Sequence, residues 1–363
     1  MKNILITAAG CPGFYSVQKA IKSIDFLSSG LMIHGCDMNP KSIGLKFCDK
    51  YFIAPKGSSE KYVSKLFEYC SGNKIDLIIP CSDEELIPLA RSKQIFASIG
   101  CNVLACSETS LETILNKQKL FEFLKSGPVK NHIPKSFICN NVNDFKRHYE
   151  RLKDEGCNVC IKPTIAHGGR GFRVISDARK EDLFEQKASH GTMSYKSLVE
   201  VLSDGGDTFP DLMVMEYMCG TEYSVDCSKN EKFTTVPRTR EIIQDGICVA
   251  GTTIENEKLI DLSEKIYNLL GIRYHANIQY RYDHTGNPKL LEVNPRFSGT
   301  MEHCRGAGVN FAEIAIRESF GLPAVDYSIK WQTRMTRVWQ EVFSYEHGSR
   351  NSDNENKLYH RSL

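Results

Sequence analysis

Apolar residues repeat at two different periods along the first hundred positions. Asn3 to Ala8 is a continuous apolar run of strand length. Val17, Ala20, Ile21, Ile24 and Leu27 then recur at helical spacing, so a helix is predicted from Val17 to Leu27. Leu31 to Cys36 reads as a second strand, Tyr62, Val63, Leu66 and Phe67 as a helix face, and Ile75 to Ile79 as a further strand. This βαβ rhythm predicts a parallel sheet with helices on both faces. Asn116 to Leu124 is helical again and is stopped by Ser126-Gly127-Pro128. Shorter strand-like pieces follow around Phe137, at Val159 to Ile161 and at Phe172 to Ile175, with glycines crowded between the last two. Leu212 to Met215 and Tyr223 to Asp226 flank a Cys219-Gly220 turn; a helix runs from Leu259 to Leu270; Asn277 to Tyr282 and Lys289 to Val293 flank the turn-forming run DHTGNP. From about Glu341 the chain turns polar and is expected to lie on the surface.

Alternation along the last two strands sorts their side chains. Leu291 and Val293 share one face, Glu292 and Asn294 the other; Asn277, Gln279 and Arg281 share a face likewise. A turn centred on Thr285-Gly286 sets Gln279 directly opposite Glu292, and a slip of one residue would undo the match. In that register Gln279, Glu292 and Asn294 form a patch of hard oxygen ligands, which suits Mg²⁺ completed by phosphate and water. Pro295 ends the ladder, and Arg296 leaves the strand with a planar fork suited to a phosphoryl oxygen. The same pattern fits the wet face of an ordinary hairpin.

Two further clusters bear on that choice. CIKPTIAHGGRGFRVI (Cys160 to Ile175) reads as strand, lysine, glycine loop, strand. Its glycines can bring backbone N–H groups against phosphates, with Lys162 supplying a point charge at the rim. The Walker A order is absent, so the loop reads as a flap or as a plain turn. In LMVMEYMCGTEYSVD (Leu212 to Asp226) an apolar strand ends at Glu216-Tyr217-Met218, a connector able to hold a flat base by its edge. Glu222, Ser224 and Asp226 then share a face, as they would in any hairpin with one polar side. Near the N-terminus, AAGCPGFYS (Ala8 to Ser16) and Asp37 resemble a dinucleotide fingerprint, but the third glycine is missing. In PCSDEEL (Pro80 to Leu86), Ser82 and Glu85 fit a helix-capping box, and the same edge could line a pocket.

Composition narrows the classes. The 363 residues imply two or three domains, with 41% apolar and 25% charged residues in an ordinary globular balance. A net charge of +2 offers no field for nucleic acid, and no apolar run reaches membrane-spanning length. The opening MKNILITAAG has too brief an apolar run for a signal peptide and reads as the first strand. The 14 cysteines are spread out, as reduced thiols of a cytoplasmic protein would be. Cys157 and Cys160 form a lone CxxC, read as thiols flanking a strand rather than a zinc site.

Taken in order, Lys117, Lys162 with its GGRG loop, Glu216-Tyr217-Met218 with Glu222, Gln279, and the run Glu292-Val-Asn294-Pro-Arg296-Phe-Ser-Gly resemble the ATP-grasp superfamily. The likeness is to its carbamoyl-phosphate-synthase-like and carboxylate–amine ligase branches, and it extends over roughly residues 1 to 325. It implies an α/β fold: an N-terminal pre-ATP-grasp parallel-sheet domain (1–108), then a two-lobed ATP-grasp α+β fold. That fold comprises a small lid lobe with the glycine flap (109–215) and a large lobe with the metal site (216–340), before a polar tail (341–363). It also implies roles. Lys117 and Lys162 would contact ATP, the flap with Gly168, Gly169 and Gly171 would cover its phosphates, and Glu216, Tyr217 and Met218 would line the adenine. Glu222 would bind ribose. Gln279, Glu292 and Asn294 would ligate Mg²⁺, or Mn²⁺ in its place. Arg296 would steady the transferring phosphoryl group, with Arg240 facing the same pocket. Asn116 stands where the family usually has an acidic residue before the lysine, and His167 sits inside the flap, where it is expected to be solvated. The implied activity is an ATP-dependent ligation of a small carboxylate to an amine through an acyl phosphate, without nucleic acid or membrane, in a chain for which a homodimer is the default assembly. Phosphorylation of bicarbonate or carbamate, a non-catalytic nucleotide-binding module and an NAD(P) oxidoreductase are the alternatives.

Overall fold

The computed structural model describes residues 1–165, 171–176, 191–204, 206–244 and 246–342. The chain begins with β1 (Lys2–Ile6), α1 (Phe14–Lys22), β2 (Leu31–Asp37), β3 (Lys50–Ile53), α2 (Lys61–Asn73), β4 (Leu77–Ile79), α3 (Asp83–Arg91), α4 (Lys93–Ala97) and β5 (Asn102–Val103). The strands lie in the order β3-β2-β1-β4-β5, all parallel. Ile4, Leu5 and Ile6 are wholly buried, as a central strand covered on both faces requires. Chain direction across the sheet reverses between β1 and β4, so the loops after these two strands open a crevice at their carboxyl ends. The helix predicted from Val17 to Leu27 ends early. Ser23 Oγ turns back to the Ala20 carbonyl at 2.8 Å, and Asp25–Leu27 continues as a separate 3₁₀ turn. β3 escaped the sequence reading because it is an edge strand with no buried residue in it.

Next come α5 (Glu108–Ile114), α6 (Lys117–Lys125), β6 (Ser136–Cys139), α7 (Val142–Asp154), β7 (Val159–Pro163), β8 (Arg173–Ile175), β9 (Thr192–Met193), α8 (Tyr195–Asp204) and β10 (Leu212–Glu216). Their sheet has the order β6-β10-β7-β8-β9 and closes over Phe145, Leu152, Ile161, Leu198 and Val214.

The remaining elements are β11 (Glu222–Asn230), β12 (Lys232–Thr239), β13 (Ile242–Gln244), β14 (Ile247–Thr252), α9 (Glu257–Leu269), β15 (His275–Tyr282), β16 (Pro288–Asn294), α10 (Met301–Gly306), α11 (Phe311–Ser319) and β17 (Arg334–Thr336). β12-β11-β15-β16 form an antiparallel sheet. Its apolar face, with Val225, Cys227, Ile278 and Tyr280, joins Leu259, Leu262 and Ile266 of α9 in one core. One end of its polar face is roofed by α10 and α11, where Phe311 meets the His275 ring at 5.0 Å. A fourth, small sheet, β13-β14-β17, was not anticipated, since Ile242, Ile243 and Gln244 are all exposed and show no alternation.

Candidate active site

The hairpin register is the expected one where it matters. Gln279 pairs with Glu292 and Asn277 with Asn294, and a bulge between Gln279 and Tyr280 absorbs the mismatch towards the turn. Across the sheet Ser224 pairs with Gln279 and Asp226 with Asn277, so one polar face runs over three strands. Gln279, Glu292 and Asn294 are half-buried there. Asn294 Nδ2 donates to Glu292 Oε1 at 3.0 Å, and Gln279 Nε2 to Asn277 Oδ1 at 3.3 Å. Both amides thus use their N–H groups within the sheet and keep a carbonyl oxygen for something else. Among the described residues no three His, Cys, Asp or Glu side chains converge as a cation site. One carboxylate and two amide oxygens fit a hard divalent ion whose shell is completed by phosphate and water.

The small lobe delivers two lysines to this face. Lys162 Nζ donates to the Leu291 carbonyl at 3.0 Å, one residue from Glu292, and sits 5.2 Å from the Phe121 ring centre. Burial lowers its pKa from 10.5 to about 8; neighbouring Lys117 lowers it further and Glu292 opposes the shift. Lys117 opens α6, and its N–H donates to the Thr164 carbonyl at the end of β7. Asn116 is the N-cap of that helix, its Oδ1 accepting from Gln118 and Lys119 N–H at 3.0 and 3.2 Å. The amide is the expected residue type for that post. Gly171 leaves the flap at φ +74°, and a Cβ there would lie 2.7 Å from the Pro163 ring. Gly168, Gly169 and His167 lie outside the described residues, as does most of the polar tail.

The connector after β10 is held from both sides. Glu216 N–H donates to the Lys135 carbonyl at 3.0 Å and Tyr217 N–H to the Asn158 carbonyl at 2.7 Å. The Glu216 carboxylate turns to Lys135 N–H at 3.0 Å and lies 3.9 Å from Lys289 Nζ. Met218 is buried. Arg281 lies over the Tyr217 ring at 5.1 Å and donates to its hydroxyl at 3.1 Å. Glu222 forms an ion pair with Arg240 at 2.7 Å, and Arg240 also donates to the Gly246 carbonyl at 2.9 Å. The carboxylate expected to meet ribose is therefore neutralised by the arginine expected to face the same pocket as Arg296.

Arg296 lies further along, where the N-terminal sheet abuts the large lobe. Its Nε and a terminal nitrogen grip Asp83 Oδ1 and Oδ2 at 2.7 and 3.2 Å, and the other terminal nitrogen donates to the Phe297 carbonyl at 3.2 Å. The bidentate carboxylate holds the guanidinium firmly cationic despite burial. Asp83 went unrecognised because the contact spans the whole chain. Only half of the capping box proposed beside it is in place, Ser82 N–H donating to the Glu85 carboxylate. Ser82 occupies the N-cap but makes no side-chain cap bond. The Glu85 carboxylate also faces inward to the Thr7 hydroxyl and the Tyr62 side chain, and burial raises its pKa to about 7. The Asp37 carboxylate is engaged by Gly10 and Asn39 N–H at 2.7 and 2.8 Å, which fills the place a ribose would take. Gly13 packs here too, a Cβ on it falling 3.0 Å from Gly299 Cα.

The sequence reading chose Arg240 from the pair in VPRTREII, whereas Arg238 is the more deeply placed. It is fully buried, ion-paired with fully buried Asp226, and donates to Thr300 Oγ1 at 2.7 Å and to Ser224 and Ser298 Oγ at 3.3 Å. Alternation could have flagged it, since Arg238 faces Ser224 across the ladder. Of the CxxC pair, Cys160 is buried in β7 and Cys157 just precedes it; all fourteen thiols are free.

Fold and site together define an ATP-grasp domain that follows a parallel-sheet N-terminal domain. Residues 4–104 match the model of the PylC-like N-terminal domain, and residues 208–343 match the family described as ATP-grasp in the biosynthetic pathway with Ter operon. The carbamoyl phosphate synthase large chain of Clostridium acetobutylicum is 26% identical over 263 residues, 68% of this chain but only 23% of the relative. The chain thus spans about a quarter of the length of that relative. Among solved structures, N5-carboxyaminoimidazole synthetase from Staphylococcus aureus complexed with ADP superposes with a TM-score of 0.65 at 15% identity, over 91% of this chain and 80% of that one. L-amino acid ligase from Bacillus licheniformis superposes with a TM-score of 0.59 at 13% identity, over 88% and 74%. No helix among the described residues is long and apolar enough to cross a membrane.

Proposed function

We propose that the chain ligates a small carboxylate to an amine at the expense of ATP. The observation that carries this reading is the single polar face on which Gln279, Glu292 and Asn294 align, with Lys162 docked on the Leu291 carbonyl beside them. A carboxylate oxygen attacks the γ-phosphorus, the bond to the β,γ-bridging oxygen breaks, and ADP leaves. The amine nitrogen then attacks the acyl carbon, phosphate departs, and the nitrogen gives up a proton. A bound Mg²⁺ or Mn²⁺, held by Glu292 and the oxygens of Asn294 and Gln279, would neutralise phosphate charge. Lys162 and Lys117 orient the phosphates. Arg296, fixed by Asp83, faces the crevice of the N-terminal sheet, where the acceptor would sit next to the phosphoryl group. Positioning and charge supply the rate enhancement, and no protein nucleophile is required. In this reading residues 1–108 shape the acceptor site, 109–215 cover the nucleotide and 216–340 hold the cation. Fourteen unpaired thiols support a reducing compartment such as the cytoplasm.

A second reading, phosphorylation of bicarbonate or carbamate, is favoured by the similarity to carbamoyl phosphate synthase. One screen separates the two. ADP release is followed with bicarbonate alone and with panels of amino acids, sugar acids and amines, the product being identified by mass. Release that needs both an acid and an amine supports the ligase; release driven by bicarbonate alone replaces it. Glu292→Ala and Arg296→Ala are each expected to lower ADP release at least about a hundredfold with the fold intact by circular dichroism. Near-normal turnover in either would overturn the assignment.

A further inference from the structure

We infer that Arg238 and Asp226 are positioning residues that act through Asn277 to turn the carbonyl oxygen of Gln279 towards the cation. The inference rests on the ligase reading's assignment of Gln279 to the metal.

The argument follows polarity from one group to the next. Asp226 is fully buried and ion-paired with Arg238, so its carboxylate can only accept hydrogen bonds. It accepts from His275 Nε2 at 3.0 Å, Ser298 Oγ at 3.2 Å and Cys304 Sγ at 3.4 Å, and from Asn277 Nδ2 at 3.0 Å. An acceptor at that spot dictates which way the Asn277 amide is turned: NH₂ to Asp226, oxygen away. The Asn277 oxygen then faces Gln279, whose NH₂ donates to it at 3.3 Å. A flip of either amide would set oxygen against oxygen. Gln279 Oε1 is thereby the end of the amide that Asn277 leaves open, in a side chain whose partner across the ladder is Glu292.

The relay answers a need specific to this chain. A glutamate at position 279 would offer two equivalent oxygens and require no orientation. A glutamine offers one oxygen, and half of its flip states would present N–H groups to a cation. A buried ion pair adds little to stability compared with apolar residues of the same size. The pair's orienting role is a reason to find one behind the cation face. Groups that orient metal ligands in this manner affect affinity by about 10–100-fold.

The test measures Mn²⁺ affinity by electron paramagnetic resonance, in the presence of a non-hydrolysable ATP analogue, alongside binding of the analogue without metal. Asn277→Ala is expected to weaken Mn²⁺ about 10–100-fold and leave metal-free analogue binding unchanged. Adding Gln279→Glu to that variant is expected to restore Mn²⁺ affinity, because a carboxylate needs no orienting partner. The paired change Asp226→Leu with Arg238→Met removes the acceptor and both charges together and should reproduce the loss, with the same rescue. Wild-type Mn²⁺ affinity in the Asn277 variant, or a loss that Gln279→Glu does not repair, overturns the relay and leaves the ligase reading standing. If the wild-type chain binds no Mn²⁺ with the analogue, the ligase reading falls and the relay falls with it.

Discussion

Lys162 is the residue whose environment makes a pH prediction. Burial lowers its pKa from 10.5 to about 8, so the free protein carries this charge at neutral pH and loses it above 8. Phosphate binding favours the charged form, and binding above pH 8 therefore takes up a proton. Nucleotide affinity is expected to fall as pH passes through about 8, by up to about tenfold per unit. Calorimetry in buffers of different ionisation enthalpy would register the proton uptake, and Lys162→Met should abolish it. A flat affinity profile from pH 7 to 9 would contradict the assignment. At this scale the sequence was legible wherever alternation and local spacing carried the information. The facing of Gln279 and Glu292 followed from strand period and turn position, and the start of a helix at Asn116 showed itself in the spacing. Asp83 did not, because its partner Arg296 is distant in the chain. Nor did the choice between Arg238 and Arg240, since strand period puts both on the same polar face and both side chains are largely covered; only the Ser298–Thr300 segment, brought in from far along the chain, gives Arg238 its further partners.

Among the elements, the connector between β10 and β11 is tightly constrained. Gly220 N–H donates to the Tyr282 carbonyl at 3.0 Å, and Tyr282 N–H returns a bond to the Thr221 carbonyl at 3.1 Å. A Cβ on Gly220 would stand 2.6 Å from the Tyr282 carbonyl oxygen and 2.9 Å from its Cβ. Gly220→Ala must push the connector off β15, at about 1–3 kcal/mol. Thermal unfolding with and without ATP should show a lower midpoint and a smaller ATP-induced rise, because Tyr217 and Met218 move with the turn. An unaltered ATP response would separate the connector from nucleotide binding. The βαβ elements and the site hairpin were readable because buried strands and amphipathic helices each impose a period. The β13-β14-β17 sheet was not, since an exposed three-residue strand imposes none. The Ser82 and Glu85 pair shows a different limit. The local motif was present, but the Glu85 carboxylate is shared with Thr7 on a neighbouring strand, and the Ser82 hydroxyl returns no cap bond.

For the molecule as a whole, the Arg296–Asp83 grip ties the N-terminal sheet to the reacting end of the large lobe. Asp83→Asn or Arg296→Gln alone leaves one charge without its partner and should cost about 3–5 kcal/mol. The double variant should recover part of that stability without recovering turnover, and urea unfolding of all four proteins would give the coupling. Additive losses would show the contact to be incidental. The lobes are joined by apolar surface as well. Val17, Ala20 and Ile21 of α1 share a core with Val309, Phe311, Ala312 and Ile316, and Asn310 Nδ2 donates to the Ala20 carbonyl at 2.9 Å.

That shared core has a consequence for descent and for engineering. An N-terminal unit that contributes half of a common interior cannot be traded as a free module. A chimera that imports a new N-terminal sheet, in evolution or in the laboratory, must import the face of Phe311–Ser319 that beds against it, so changes of acceptor would be inherited as matched pairs of segments far apart in the gene.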